Sequence, residues 1–284
     1  MTGPGARGTL FVVATPIGNL SDLSMRAKEV LSAVPVVVAE DTRRTRTLLG
    51  HLGARPLELL SLPAFDERGR LEGVLRRLAE GSEVAFVTDA GTPGVSDPGT
   101  RLVAAAWEAG ARVVPIPGAS AALAALSASG LPADRFLFAG FLPRKGGSRS
   151  RELLRLAAAP ETLVLFEAGN RTAETLGDLL EALGDRPAAL GRELTKLHEE
   201  IVRGSLSSLA QRFSGEVRGE VTLVVGGAGA EAEPPPAEDV EVEIRRRLAA
   251  NEPPVEIAKA VARARGISRR EAYELVETVR GRRR

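Results

Sequence analysis

Short, almost wholly apolar runs alternate with segments of helical spacing over most of this chain. Apolar runs of this kind are typical of strands buried on both faces, and their alternation with helices predicts an α/β fold with a mostly parallel sheet. The predicted strands are 10–14, 34–39, 57–60, 83–87, 112–116, 162–166, 188–192 and 221–225. The predicted helices are 22–32, a helix that opens at 40–44 and ends near Gly50, 68–80, 102–107, 119–129, 150–158 and 171–183.

The pattern also predicts where the chain divides. We place a boundary near Pro117, which gives an N-terminal α/β domain over 8–117 and a second α/β domain over 118–226. A segment rich in Pro, Gly and Ala follows at 227–237 and is predicted to be a linker.

The last segment, 238–284, is predicted to be a small helical module with helices at 240–249, 255–264 and 269–279. Ser268 and Glu271 have the spacing of a capping box at the start of the third helix. A turn at 265–267 would make the module resemble a helix-turn-helix, which binds nucleic acid. A small bundle that closes the fold, or one that makes a dimer contact, is an equal alternative.

Composition narrows the chemistry. The chain has no cysteine, which excludes thiolate nucleophiles and Cys-based metal sites, and its two histidines argue against a multi-His metal centre, so no metal is expected. No apolar run reaches the roughly 20 residues of a membrane span, and 1–8 lacks the apolar core of a signal peptide. We therefore expect a cytoplasmic protein without a membrane partner. The net charge of +1 gives no global sign of nucleic-acid binding.

The candidate chemistry lies in loops at the ends of strands. The sequence contains no dinucleotide-binding G-x-G-x-x-G after a strand, no P-loop and no G-x-S-x-G elbow. Parallel α/β sheets bind ligands in the crevice at the carboxyl ends of their strands. Five loops are expected to converge there, and the Gly- and Pro-rich third one is the most informative: 14–20, 39–44, 88–99, 115–121 and 166–171.

Several of these segments together resemble the tetrapyrrole methylase superfamily, and within it the small-subunit ribosomal RNA methyltransferase I branch. They are 14–20, 39–43, 88–99, 117–121 and 191–200. The resemblance implies transfer of a methyl group from S-adenosyl-L-methionine to the ribose 2′-hydroxyl of a cytidine in the decoding region of 16S rRNA. It further implies a cofactor cleft between two α/β domains, a 30S particle as substrate and a homodimer.

The resemblance also implies which residues bind the cofactor. From the first domain they are Pro16, Asp89, Ala90, Gly91 and Thr92; from the second they are Ser120, Ala121 and Phe166. Phe166 is equally open to a plain core role. Asn170 stands where family members usually carry histidine, which excludes a catalytic histidine at that position.

A ribose hydroxyl must lose its proton during or after attack, and a positioned base accelerates such a step by about 10²–10⁴-fold. The candidate bases are Glu40, Asp41, Glu167, Glu193 and Glu199. We take Asp41 first, with Arg43 positioning the RNA, and rank Lys196 and Glu199 close behind.

Structural roles remain open for the same residues. Asp41 could serve only as a helix N-cap. Arg43, Arg44 and Arg46 could form a solvated helix face, and Lys196 with Glu199 a surface ion pair. His198 is expected to be structural or exposed, and His51 to favour a helix C-terminus.

The basic loop 144–149, the helical module and the cluster 282–284 are candidate RNA contacts. A small-molecule methyltransferase acting on a tetrapyrrole or corrinoid is one alternative function. A ligand-sensing, RNA-binding protein without enzymatic activity is the other.

Overall fold

The computed structural model describes residues 7–63, 66–229, 240–249, 252–265 and 268–281. The chain forms two compact units, Met1–Ala230 and Glu231–Arg284. The predicted boundary at 117 falls in a loop inside the first unit and stays a prediction. In the described parts of the chain, no helix is both long and apolar enough to cross a membrane.

The first half of unit 1 is a five-stranded, wholly parallel sheet in the order β3-β2-β4-β1-β5. Its strands are β1 Thr9–Val13, β2 Val36–Ala39, β3 Glu58–Ser61, β4 Val84–Val87 and β5 Arg112–Ile116. Helices α1 Met25–Ala33 and α2 Thr42–Leu52 pack on one face, and α3 Glu67–Ala79 and α4 Thr100–Glu108 on the other. Apolar strands covered on both faces confirm the predicted parallel sheet here.

The second half carries another five-stranded sheet, in the order β6-β7-β10-β8-β9. Only β6 and β7 are parallel; β10 runs antiparallel to both β7 and β8, and β8 antiparallel to β9. The mostly parallel arrangement predicted from the strands up to 116 therefore applies to the first sheet, and this second sheet is mixed. Its strands are β6 Phe136–Phe141, β7 Thr162–Ala168, β8 Pro187–Arg192, β9 Glu200–Ser205 and β10 Glu220–Val225.

Four helices cover the second sheet. Helix α5 Ala121–Ser129 packs on one face, and α6 Gly147–Ala157, α7 Thr172–Leu183 and α8 Leu206–Arg212 pack on the other. Strands β6 and β9 and helix α8 were not predicted. Strand β9 has the sequence Glu-Ile-Val-Arg-Gly-Ser and lies at the edge of the sheet, so it is only partly buried and lacks the apolar run of a central strand.

Unit 2 contains the three predicted helices, α9 Val240–Ala249, α10 Pro254–Arg265 and α11 Arg269–Gly281. They share a small core that includes Ile244, Ile257 and Val276. The capping box is confirmed, because the Glu271 N–H donates to Ser268 Oγ (3.2 Å) and the Ser268 N–H to a Glu271 carboxylate oxygen (2.9 Å). Residues 266 and 267 of the predicted turn and the cluster 282–284 lie outside the described residues, so the helix-turn-helix stays a prediction.

Candidate functional site

A cavity of about 450 Å³ opens between the two halves of unit 1. This volume is within the range of about 300–1,000 Å³ that is usual for ligand pockets. Loops after β1, β2, β4 and β5 line it from the first sheet, while β7, β10 and Phe141 line it from the second. The expectation that all five loops share the edge of one parallel sheet is wrong, because 166–171 comprises the last residues of β7, in the mixed sheet, and the turn after it.

The loop 88–99 forms one side of this cavity and is held in a fixed shape. Gly91 has a φ of 84°, in the left-handed region that only glycine adopts readily. Its carbonyl accepts from the Thr15 N–H (2.9 Å), and its N–H donates to the Thr15 carbonyl (3.1 Å). The Thr92 hydroxyl donates to the Ala119 carbonyl at 3.2 Å. These bonds tie the loop after β4 to the loops after β1 and β5.

The wall formed by the first sheet is acidic. Glu40, Asp89 and Asp97 all line the cavity. Burial, with the nearby Glu40 carboxylate, raises the pKa of Asp97 to about 6. Burial also raises the pKa of Glu40 above its ordinary value. Carboxyl groups that resist ionisation in this way gain most from a cationic neighbour.

Asp89 has partners on one side only. Its Oδ2 lies 3.4 Å from Arg44 Nη1, and its N–H donates to Glu40 Oε2 at 3.3 Å. Its Oδ1 is buried and has no hydrogen-bond partner among the described residues. A buried acceptor without a donor costs free energy, so Asp89 Oδ1 marks where a ligand would donate a hydrogen bond.

The wall formed by the second sheet carries an aromatic cluster. The Phe166 ring packs edge to face with Phe138 and Phe141, with centroid distances of 5.0 and 5.6 Å. Phe166 therefore belongs to an aromatic cluster and lines the cavity as well. Such a surface accepts a flat ring by stacking or edge contact.

Behind Phe166, the buried Glu167 is held by a network. Glu167 Oε2 accepts from the Thr175 hydroxyl at 2.6 Å, and Oε1 lies 3.5 Å from Arg171 Nη1. Arg149 Nη2 donates to the same Thr175 oxygen at 3.0 Å, and Arg149 Nε to Asp178 at 2.6 Å. The carboxylate of this wall is thus fully partnered, unlike Asp89.

This network corrects one prediction about RNA contacts. Arg149, in the basic loop 144–149, is only 5% exposed and also donates to the Pro143 carbonyl at 2.9 Å. It holds the loop in place from inside and cannot reach an RNA surface. Lys145 is exposed in the same loop, so the loop keeps a cation at the surface.

The structure brings the predicted cofactor residues together. Seven of the eight line the cavity: Asp89, Ala90, Gly91, Thr92, Ser120, Ala121 and Phe166. Pro16 lines an adjoining groove that shares Arg44 and Asp89 with the cavity. Their roles in binding stay predictions.

Asp41 and Arg43 are placed differently. The Asp41 carboxylate caps α2 by accepting from the Arg43 N–H (2.8 Å), and it also pairs with Arg43 Nη2 (2.6 Å). These bonds from Arg43 hold the pKa of Asp41 well below its ordinary value, which makes Asp41 a weak proton acceptor. Its neighbour Glu40 lies in the cavity wall instead.

Lys196 and Glu199 lie in the loop between β8 and β9. Lys196 Nζ pairs with Glu193 at 2.9 Å and with Glu220 at 2.8 Å, while Glu199 accepts from the Thr195 N–H at 2.5 Å. The alternative of a Lys196–Glu199 pair is therefore wrong. Lys196 does not line the cavity itself, but its ion-pair partner Glu220 does.

Sequence reasoning left Asp97 and Arg44 out of the predicted site. Asp97 lies late in a turn-rich loop, where turn chemistry alone explains an Asp-Pro pair. Arg44 lies one helical turn beyond Asp41, on the part of α2 that faces the loops after β1 and β4. That placement was the available signal, since the first turn of a helix stays beside the strand end that it follows.

Comparison with known proteins gives consistent results. The family model described as tetrapyrrole (corrin/porphyrin) methylases matches residues 9–210. A Mesorhizobium japonicum protein named ribosomal RNA small subunit methyltransferase I is 47% identical over 93% of this chain and 90% of its own length. A Xylella fastidiosa protein of the same name is 46% identical over 94% and 98%.

Solved structures support the fold. Uroporphyrin-III C-methyl transferase from Thermus thermophilus, complexed with S-adenyl homocysteine, aligns with a TM-score of 0.57 at 24% identity, over 77% of this chain and 97% of the other. Diphthine synthase aligns with a TM-score of 0.60 at 18% identity, over 77% and 90%. At these identities the likeness establishes the architecture of unit 1.

Proposed function

Because the chain belongs to the tetrapyrrole methylase family and to its ribosomal RNA small subunit methyltransferase I branch, it is a methyltransferase, and we propose that it methylates the ribose 2′-hydroxyl of a cytidine in the decoding region of 16S rRNA. The methyl donor is S-adenosyl-L-methionine, and the proposed substrate is the 30S particle. The observation that carries the proposal is the cavity with its acidic wall of Glu40, Asp89 and Asp97. It lies in a chain that is similar to rRNA methyltransferases over nearly its whole length.

The residues of the cavity fit this donor. S-adenosyl-L-methionine carries a sulfonium and an ammonium, and the carboxylates of Glu40, Asp89 and Asp97 supply the opposite charge. Asp89 Oδ1, buried and unpartnered among the described residues, offers an acceptor for an ammonium or hydroxyl donor. Phe166 offers an aromatic surface for the adenine. When bound, the donor supplies a methyl group on an already activated leaving group.

The chain must also accept the proton of the ribose hydroxyl. Glu40 supports this role better than Asp41, because Glu40 lines the cavity and its pKa is raised by burial, whereas Arg43 lowers the pKa of Asp41. A carboxylate with a raised pKa is the stronger base. We therefore propose Glu40 as the proton acceptor, while Asp41 caps α2.

The test incubates purified protein with labelled S-adenosyl-L-methionine and 30S particles that lack the modification. Nuclease digestion and mass spectrometry should find 2′-O-methylcytidine in the decoding region. At saturating cofactor, Glu40→Gln should lower the rate by about 10²-fold or more. Asp41→Asn is the matched control, since asparagine also caps helices well, and it should lower the rate only a few-fold.

Three outcomes would contradict the proposal in whole or in part. A methyl group on a base instead of the ribose would overturn the reaction. Tight cofactor binding without any incorporation into the particle would favour the small-molecule methyltransferase. Equal losses in Glu40→Gln and Asp41→Asn would overturn the assignment of the base alone.

A cytoplasmic location and a homodimer belong to the same proposal. Both rest on the resemblance to the family. Light scattering at micromolar concentration tests the dimer directly, and the mass of a single chain would overturn it.

A further inference from the structure

A second depression, here named the α2 groove, adjoins the cavity. It has a volume of about 280 Å³ and is lined by residues of the loop after β1, by residues of α2 and by Asp89. The backbones of Thr15, which lines the groove, and Gly91, which lines the cavity, pair with each other and are here named the ridge. Arg44 and Asp89 line both. A molecule that fills the cavity and extends past this ridge would enter the groove.

The lining groups of the α2 groove match the parts of a nucleotide. Arg44, whose side chain is 69% exposed, offers a cation for a phosphate. Pro16, Leu20 and Leu48 offer an apolar surface for a base or sugar face. Thr47 is exposed and adds a hydroxyl, which donates to the Arg43 carbonyl at 3.2 Å and can still accept a hydrogen bond.

His51 completes the set with a defined acceptor. Its Nδ1 lies 2.8 Å from the Thr47 carbonyl, which can only accept, so Nδ1 carries the proton. In the neutral ring Nε2 is then the acceptor, available to a ribose hydroxyl or a base N–H.

The charge around the groove favours a polyanion. Helix α2 carries three arginines in its first turns, Arg43, Arg44 and Arg46. Arg43 pairs with Asp41 and Arg44 with Asp89, while the exposed Arg46 makes no ion pair within the described part of the chain. Cations ranged along one helix beside a groove suit the repeating phosphates of an RNA strand.

We propose that the α2 groove binds the RNA nucleotide next to the one that is methylated, with Arg44 contacting the phosphate between the two. The inference rests on the proposed function and adds a substrate subsite to it. The target ribose would lie in the cavity, and the neighbouring nucleotide would lie across the Thr15–Gly91 ridge.

Charge substitutions at Thr47 test the proposal. Thr47 is exposed and lies outside the cavity lining, so the fold and cofactor binding should persist. At fixed salt, Thr47→Glu should weaken binding to 30S particles about tenfold by repelling phosphate, while Thr47→Lys should bind at least as tightly as the wild type. His51→Ala should weaken binding by about fivefold through loss of one hydrogen bond.

Arg76→Glu is the matched control. Arg76 is exposed on α3, which packs on the opposite face of the first sheet from α2. The substitution removes more positive charge than Thr47→Glu, so a non-specific charge effect would weaken binding at least as much. We expect unchanged binding.

Calorimetry with S-adenosyl-L-methionine separates this inference from the proposed function. If the wild-type protein methylates the particle and Thr47→Glu binds the particle as tightly as the wild type, the proposed role of the α2 groove is wrong and the proposed function stands. Equal weakening by Thr47→Glu and Thr47→Lys would also overturn it, because the sign of the charge would then not matter. Wild-type protein that binds cofactor but neither binds nor methylates the particle would overturn both.

Discussion

The two walls of the cavity carry carboxylates of opposite character. On the first sheet, Asp89 keeps a buried oxygen without a partner in the described chain, and burial raises the pKa of Asp97. On the second sheet, Glu167 is held by Thr175 and Arg171. The Asp89 carboxylate therefore keeps an oxygen that a ligand could pair with, whereas both oxygens of the Glu167 carboxylate have partners without any ligand.

This difference indicates that the first wall recognises the ligand and that the second wall supports the fold of the site. A wall whose charges lack partners gains free energy when a cation arrives, so it is suited to recognition. A wall whose charges are already satisfied gains nothing from the ligand and instead fixes the position of Phe166 above it. Substitutions in the first wall should change cofactor affinity, and those behind the second should change stability.

The largest expected effect is behind the second wall. Arg149→Ala should lower the free energy of unfolding by about 3 kcal/mol, because it leaves Asp178 and the Thr175 hydroxyl without their buried partner. Chemical denaturation measures it. The neighbouring Arg144→Ala, at a less buried position of the same loop, is the control and should change the value by less than about 0.5 kcal/mol. Equal effects would show that Arg149 does not anchor the loop.

The next effect belongs to the first wall. Asp89→Ala should weaken binding of S-adenosyl-L-methionine by about 10- to 100-fold, because a charge-assisted hydrogen bond is lost. Calorimetry measures the affinity, with the exposed Asp134→Asn as control. An unchanged affinity would mean that the orphaned Asp89 oxygen does not mark the cofactor.

The smallest effect tests the raised pKa. Since the pKa of Asp97 lies near 6 in the folded protein, above the ordinary 3.8, the folded state binds more protons than the unfolded state between these values. The contribution of Asp97 to stability therefore improves as pH falls from 7 to 5. Asp97→Asn should be more stable than wild type at pH 7, and this advantage should shrink towards pH 5.

The same variant should bind S-adenosyl-L-methionine only a few-fold more weakly, since two acidic groups remain in the wall. Thermal unfolding across the pH range and calorimetry at pH 7 measure the two quantities. An advantage in stability that grows on acidification would contradict the assigned pKa direction.

Much of the fold could be predicted because buried strands appear in the sequence as continuous apolar runs. The parallel strands β1, β2 and β4 are continuous apolar runs, and the structure buries them on both faces. Direction is not encoded in that pattern. The run 221–225 looks the same whether it lies parallel or antiparallel to its neighbours, so the mixed second sheet could not be read from it.

The sequence predicted which loops form the site better than it predicted the roles of individual side chains. Asp89, Gly91 and Ser120 do meet in one cavity. The side chains Asp41 and Arg149 were assigned from residue type, yet one caps a helix and the other is buried. A charged residue at a strand end can face the cavity or the neighbouring backbone, and only the packing around it decides.

The two members of the Arg44–Asp89 ion pair lie 3.4 Å apart, and both line the groove as well as the cavity. In the proposed complex, a phosphate that draws Arg44 away would leave Asp89 more negative and tighten its hold on a cation. Linkage makes such an effect reciprocal, so a bound cation would strengthen phosphate binding by the same factor. One arginine would then make the two ligands cooperative without any movement of the backbone.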